Sequence, residues 1–137
     1  MMRNPDARHL DFADLAGLIP GHENVLPSNL DMVYERRGHF LVAEWKHPRE
    51  AVSQGQMILL RALAKADKTI VLMVEGNTDD GMTVSKVERL MPSGTLCHKG
   101  NTRADLKVMI LRWFCWADKT LDERQVLEIE RYVRERG

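Results

Sequence analysis

The chain has 137 residues, room for one ordinary domain with a real hydrophobic core. Apolar residues make up 44% and charged residues 29%, which excludes a disordered, collagen-like or disulfide-knotted chain. Twenty Lys plus Arg balance twenty Asp plus Glu, so the bulk charge announces neither a nucleic-acid nor a membrane partner, and any contact with a polyanion must be local.

In chain order, the first 28 residues are rich in Pro, Gly and Asn. They hold one expected helix, Leu10 to Leu18, with Leu10, Phe12, Leu15 and Leu18 on one face and Pro20-Gly21 ending it. Leu30 to Arg36 and Phe40 to Lys46 then flank Arg37-Gly38, the pattern of an antiparallel hairpin. Pro48 suits the first turn of a helix, expected over Ala51 to Ala66. Lys68 to Glu75 is nearly all apolar, which marks a central strand covered on both faces. After a turn-rich Gly76 to Gly81 come a strand over Thr83 to Leu90 and a short irregular one over Gly94 to His98. Two helices close the chain, Arg103 to Trp116 and Leu121 to about Arg136, the second capped by Thr120 with Glu123 in capping-box position.

This order predicts an α/β fold, a mixed central sheet flanked by helices, within a single domain whose core runs over about 10–98 with a C-terminal helical portion over about 102–136. No membrane span is expected, because the longest aliphatic run, Ile70 to Val74, is far short of the about 20 residues that cross a bilayer. The N-terminus lacks the apolar segment of a signal peptide. Cys97 and Cys115 are too few for a disulfide framework and lack zinc-site spacing. A cytoplasmic location with two buried thiols is the expectation.

The residues that carry chemistry lie on the hairpin. With Arg37-Gly38 as the two turn residues, paired positions sum to 75, and Asp31 falls opposite Glu44 with Cβ atoms about 5 Å apart. Lys46 projects from the same face two residues beyond Glu44, and Val33 and Val42 beside them are apolar, so the charges sit at the edge of a core. Two close carboxylates repel unless positive charge sits between them. Lys46 alone supplies some, and a hard divalent cation such as Mg²⁺, with carboxylate, carbonyl and water oxygens around it, supplies more. A water on that ion is a nucleophile in waiting, which is the physical logic of phosphodiester hydrolysis. The plain alternative is an ion-pair ladder on an exposed hairpin.

Glu44-Trp45-Lys46 after an acid on the preceding strand resembles the metal-binding core of the PD-(D/E)XK nuclease superfamily. Lys46-His47-Pro48-Arg49 followed by Ser53, Gln54 and Gln56, with Leu60 and Leu63 beyond, is similar to the VRR-NUC family within it, over about Leu30 to Glu75. The resemblance implies a restriction-endonuclease-like fold and a DNA endonuclease dependent on Mg²⁺ or Mn²⁺. Asp31, Glu44 and the carbonyl of Trp45 would hold the metal, with Lys46 as the catalytic lysine and Gln56 orienting a water or the lysine. It also implies a role on flapped or branched DNA in phage or bacterial repair and recombination, and a chain able to form homodimers. Leu30 stands where the family name expects proline, and Trp45 where a small aliphatic is usual. An acid on the first helix is a further family feature, for which Asp11, Asp14 and Glu23 are candidates and Asp14 is preferred.

Gln54 and Gln56 point in different directions on a helix, and the spacing favours Gln56. Arg36, Arg37, His47 and Arg49 are candidates for DNA phosphate contacts, and Lys99, Arg103 and Lys107 form a weaker basic stretch. Trp113, Phe114 and Trp116 read as core, among Val108, Ile110 and Leu111. His22, Asn24, Asn29 and His39 lack the spacing of an HNH metal finger. The alternative function is a nuclease-fold module that binds DNA or protein without catalysis.

Overall fold

The hairpin around Arg37-Gly38 forms in the computed structural model of the protein, which describes residues 12–79, 81–119 and 122–136. Its strands, β1 (Met32–Arg36) and β2 (His39–Lys46), pair antiparallel from Met32 with Ala43 through Arg36 with His39, the expected register. Arg37 (φ 52°) and Gly38 (φ 80°) both adopt positive φ, the geometry of the two-residue turn whose twist matches that of the strands.

Helix α1 (Gln54–Lys65) crosses from β2 to β3 (Thr69–Asn77), which runs parallel to β2, and β4 (Thr83–Leu90) and β5 (Leu96–Gly100) complete the sheet. The strand order is β1-β2-β3-β4-β5. Helices α2 (Arg103–Asp118) and α3 (Glu123–Arg136) follow. The result is the expected α/β architecture, a mixed sheet with helices including a C-terminal pair, consistent with a restriction-endonuclease-like fold.

Alternation along β3 explains why its sequence is apolar from Ile70 to Val74. Val71 and Met73 pack with Val42, Leu90 and the α1 residues Leu60 and Ala64, while Leu72 and Val74 pack with Leu41, Ala43, Val87 and the α2 residues Leu106, Trp113 and Ala117. Two cores, one on each face, share this strand.

Several expectations are corrected. Within the described residues the first helix is only a 3-10 turn, Ala13–Leu15, with no buried residue; Leu10 and Asp11 lie outside them. Its apolar stripe has no sheet face to cover, and Leu15 and Leu18 remain exposed. Pro48 sits in the connection ahead of α1, whose N-cap is Ser53, accepting a hydrogen bond from the Gln56 amide at 3.2 Å. β3 continues through Gly76 and Asn77, past a register shift after Glu75. β5 is a regular strand shifted to Leu96–Gly100, because a tight turn at Gly94 (φ 91°) closes the β4–β5 hairpin. Thr120, the expected cap of α3, is outside the described residues; Asp122 and Gln125 exchange amide-to-side-chain hydrogen bonds of 2.9 Å at that helix start. Of the α2 aromatics only Trp113 is core, at 4% exposure, whereas Phe114 and Trp116 are 37% and 51% exposed. Cys115 is buried, which raises its thiol pKa, with the charge of Asp118 adding to the shift. Cys97, on the edge strand, is only half-buried.

Candidate metal and nuclease site

The expected site residues come together where β2 leaves the sheet and α1 begins. Asp31, Glu44, Trp45, Lys46 and Gln56 line one open cleft of about 420 Å³, together with Asn29, Glu50 and Ser53. Asp31 lies one residue before β1, level with Glu44, and its Oδ2 accepts the Trp45 amide hydrogen at 2.9 Å. The side chain thus supplies the acceptor that a further residue of β1 would have offered. Trp45 itself turns to the opposite sheet face and packs against the α2 core, which leaves only its backbone on the cleft side.

Gln56 is positioned by helix geometry. It precedes Leu60, which is fully buried against the sheet, by four residues and so continues the same helix face. Its Nε2 donates to Glu44 Oε2 at 3.0 Å and lies 3.4 Å from the Asn29 carbonyl. Gln54 is exposed.

The electrostatics are unbalanced at Glu44. Burial first, then the charge of Asp31 and a hydrogen bond with it, lift the Glu44 carboxyl from 4.5 to about 7, with Glu50 adding a little and the Gln56 hydrogen bond opposing. Lys46 does not neutralise the pair. Its Nζ donates to the Glu50 carbonyl at 3.4 Å and lies 3.9 Å from Glu75 Oε2, because the parallel register sets Lys46 beside Glu75. Glu75 is held in turn by Ser85 Oγ at 2.9 Å and Lys86 at 3.9 Å.

The remaining candidates separate. His47 and Arg49 are exposed on the connection between Lys46 and Glu50. Arg36 and Arg37 are at the hairpin tip, about 20 Å away along the strand at about 3.3 Å per residue, where both hydrogen-bond Asp118 Oδ1, at 2.6 and 3.3 Å. Asp14 is exposed in the 3-10 turn and is not among the residues lining the cleft. Glu23 accepts the Gly21 amide at 3.3 Å. His39 is buried against Trp116, ring centroids 4.5 Å apart, away from the cleft. Sequence reasoning missed Glu50 and Glu75. Glu75 had a signal, a charge terminating an apolar strand, but its neighbour depends on the parallel register.

No family model, curated protein or solved structure matches the chain.

Among the described residues there is no group of three or more His, Cys, Asp and Glu side chains that could hold a metal ion, and none of the helices is long and apolar enough to cross a membrane. The donor set suits a hard cation that keeps most of its waters: two carboxylates and a backbone carbonyl, with negative charge in excess. A transition metal that needs several imidazole or thiolate ligands does not fit.

Proposed function

We propose that this chain is a metal-dependent endonuclease hydrolysing DNA phosphodiester bonds, related to the VRR-NUC branch of the PD-(D/E)XK superfamily. Asp31, Glu44 and the Trp45 carbonyl would hold Mg²⁺ or Mn²⁺. The observation that carries the reading is the 3.0 Å hydrogen bond from Gln56 to Glu44, made in the cleft that Asp31 and Lys46 also line. An acid, an E-x-K element and a helix glutamine, separate in sequence, share one small volume.

A bound divalent ion supplies Lewis acidity at a phosphate oxygen and acidifies a coordinated water. Glu44 would hold such an ion as the carboxylate, and Gln56 Nε2, which donates to its Oε2 at 3.0 Å, would fix its orientation. Lys46 keeps its ammonium at the rim, between the Glu50 carbonyl and Glu75, where it orients a water or offsets charge building on the phosphate. His47 and Arg49 are the exposed donors available to neighbouring phosphates. Arg36 and Arg37, committed to Asp118, are not. With so few free cations near the cleft, non-specific affinity for DNA is modest. Specificity for flapped or branched DNA, achieved by a homodimer holding two clefts at fixed spacing, is the part of the proposal taken from resemblance.

The test is cleavage of linear, flapped and four-way-junction DNA with Mg²⁺ or Mn²⁺, comparing the native chain with Lys46→Ala and Asp31→Asn. Metal-dependent cutting that both substitutions abolish is the expected result. Cutting without metal, or undiminished in both variants, overturns the site. The second reading, a binding module without catalysis, is favoured by the structural roles that Asp31 and Lys46 already have in the hairpin end and the Glu75 ion pair. DNA binding with no cutting under any metal would establish it.

A further inference from the structure

On the opposite face of the sheet from the candidate nuclease cleft, β4, β5, α2 and α3 enclose a second cavity of about 310 Å³, within the about 300–1,000 Å³ of small-molecule sites. Its wall is cationic. Arg89 and Lys99 line it, and among the described residues neither has a carboxylate within ion-pair distance. The other two cations of the wall are committed, Arg112 to Glu130 and Arg134 to Asp105 at 2.8 Å. Arg89 Nε and Trp113 Nε1 are buried donors without an acceptor. A protein that buries two N–H groups unpaired leaves their lost hydration uncompensated, a cost that an acceptor brought in from outside offsets.

The rest of the wall is largely apolar. Trp116 lines the cavity and is 51% exposed, so that beyond its edge-on contact with His39 the indole is available to a planar group, and Leu41, Ile70 and Val108 line the same cavity. A guanidinium fork and an ammonium favour a phosphate, and an indole favours an aromatic ring. We propose that this cavity binds a nucleoside monophosphate, its phosphate held by Arg89 and Lys99 and its base against Trp116. The site is independent of the nuclease reading, from which it is separated by the sheet. The same chemistry is offered by a free mononucleotide and by the phosphorylated end of a strand.

Isothermal titration with adenosine 5′-monophosphate, adenosine and inorganic phosphate tests this. The titrations are run in EDTA, which removes the divalent ions that would bring a phosphate to the other cleft. The nucleotide is expected to bind with Kd between about 10 μM and 1 mM, with adenosine and phosphate each at least tenfold weaker. Lys99→Gln and Arg89→Gln should each weaken the nucleotide by about tenfold, and Trp116→Ala should weaken it while leaving phosphate unchanged. Lys99 and Trp116 are exposed side chains, so these two variants decide the matter if Arg89→Gln fails to fold. No binding up to about 5 mM, phosphate binding as tightly as the nucleotide, or affinity unchanged in both Lys99→Gln and Trp116→Ala overturns the proposal. A 5′-phosphorylated dinucleotide separates the two sources: binding equal to that of the mononucleotide assigns the pocket to strand ends, weaker binding assigns it to the free molecule, and either supports the site.

Discussion

Glu44→Gln keeps the size of the side chain and an acceptor for Gln56 Nε2 while removing the charge that burial and Asp31 oppose. The native carboxyl titrates at about 7 in the folded chain against 4.5 ordinarily. Full conversion at about 1.36 kcal/mol per unit gives about 3.4 kcal/mol, and partial exposure reduces what is realised to about 1–2 kcal/mol. The direction follows from proton counting. Below pH 4.5 the carboxyl is neutral folded and unfolded, and nothing is lost. Between pH 4.5 and 7 the unfolded chain ionises while the folded chain retains its proton, so stability falls as pH rises, and above 7 the full cost is present. In EDTA, Glu44→Gln should therefore exceed the native chain in Tm at pH 8 by about 4–8 °C and match it near pH 4. Added Mg²⁺ should raise the native Tm at pH 8 and not that of the variant. Calorimetric melts at pH 4, 6 and 8, with and without Mg²⁺, read all of this. Equal melting of the two chains at pH 8, or a gain that persists at pH 4, refutes the reasoning.

Three further outcomes are expected of the scaffold. Gly76→Ala places a Cβ about 2.1 Å from the Thr83 carbonyl oxygen, which forces β3 and β4 apart; urea melts should show a loss of about 2–3 kcal/mol. Leu72→Ala, at a fully buried position of β3, should cost about 3–4 kcal/mol in the same assay. Asp105 caps α2 through Thr102, accepts the Asn101 amide at 2.9 Å and pairs with Arg134 of α3, so Asp105→Ala should cost about 1–2 kcal/mol. The hydrogen bond from Arg134 in particular holds its carboxyl near 2 instead of 3.8. Its contribution is present above pH 3.8 and disappears as pH falls toward 2, and the native and variant melts should converge there.

What could be read from the sequence was what short-range geometry determines. Arg37-Gly38 fixes the hairpin turn, the turn fixes the register, and the register brings Asp31 level with Glu44; each step involves residues close in the chain. Gln56 was named by the family resemblance, and the helix that Ser53 caps carries it to the cleft on the face that runs through Leu60. The partners set by distant chain were not legible. Lys46 meets Glu75 through a parallel register that no local signal encodes, and Arg36 and Arg37 are claimed by Asp118, more than eighty residues later. The apparent basic cluster divides because the hairpin holds its tip and its exit about 20 Å apart at about 3.3 Å per residue, and Asp118 then occupies the tip. The early helix failed for a related reason: an amphipathic stripe becomes a helix when something covers it, and Leu15 and Leu18 have no such cover.

Asp31 and Glu44 differ in what they do for the fold. Asp31 closes the end of the hairpin by accepting from Trp45, so a chain that never met a metal would still benefit from an acid there. Glu44 has no such excuse: half-buried, beside another carboxylate, it is expected to leave the chain less stable at neutral pH than glutamine would. Mutational drift in a chain without catalysis should therefore erase Glu44 first and spare Asp31, which makes position 44 the better witness to what the cleft is for.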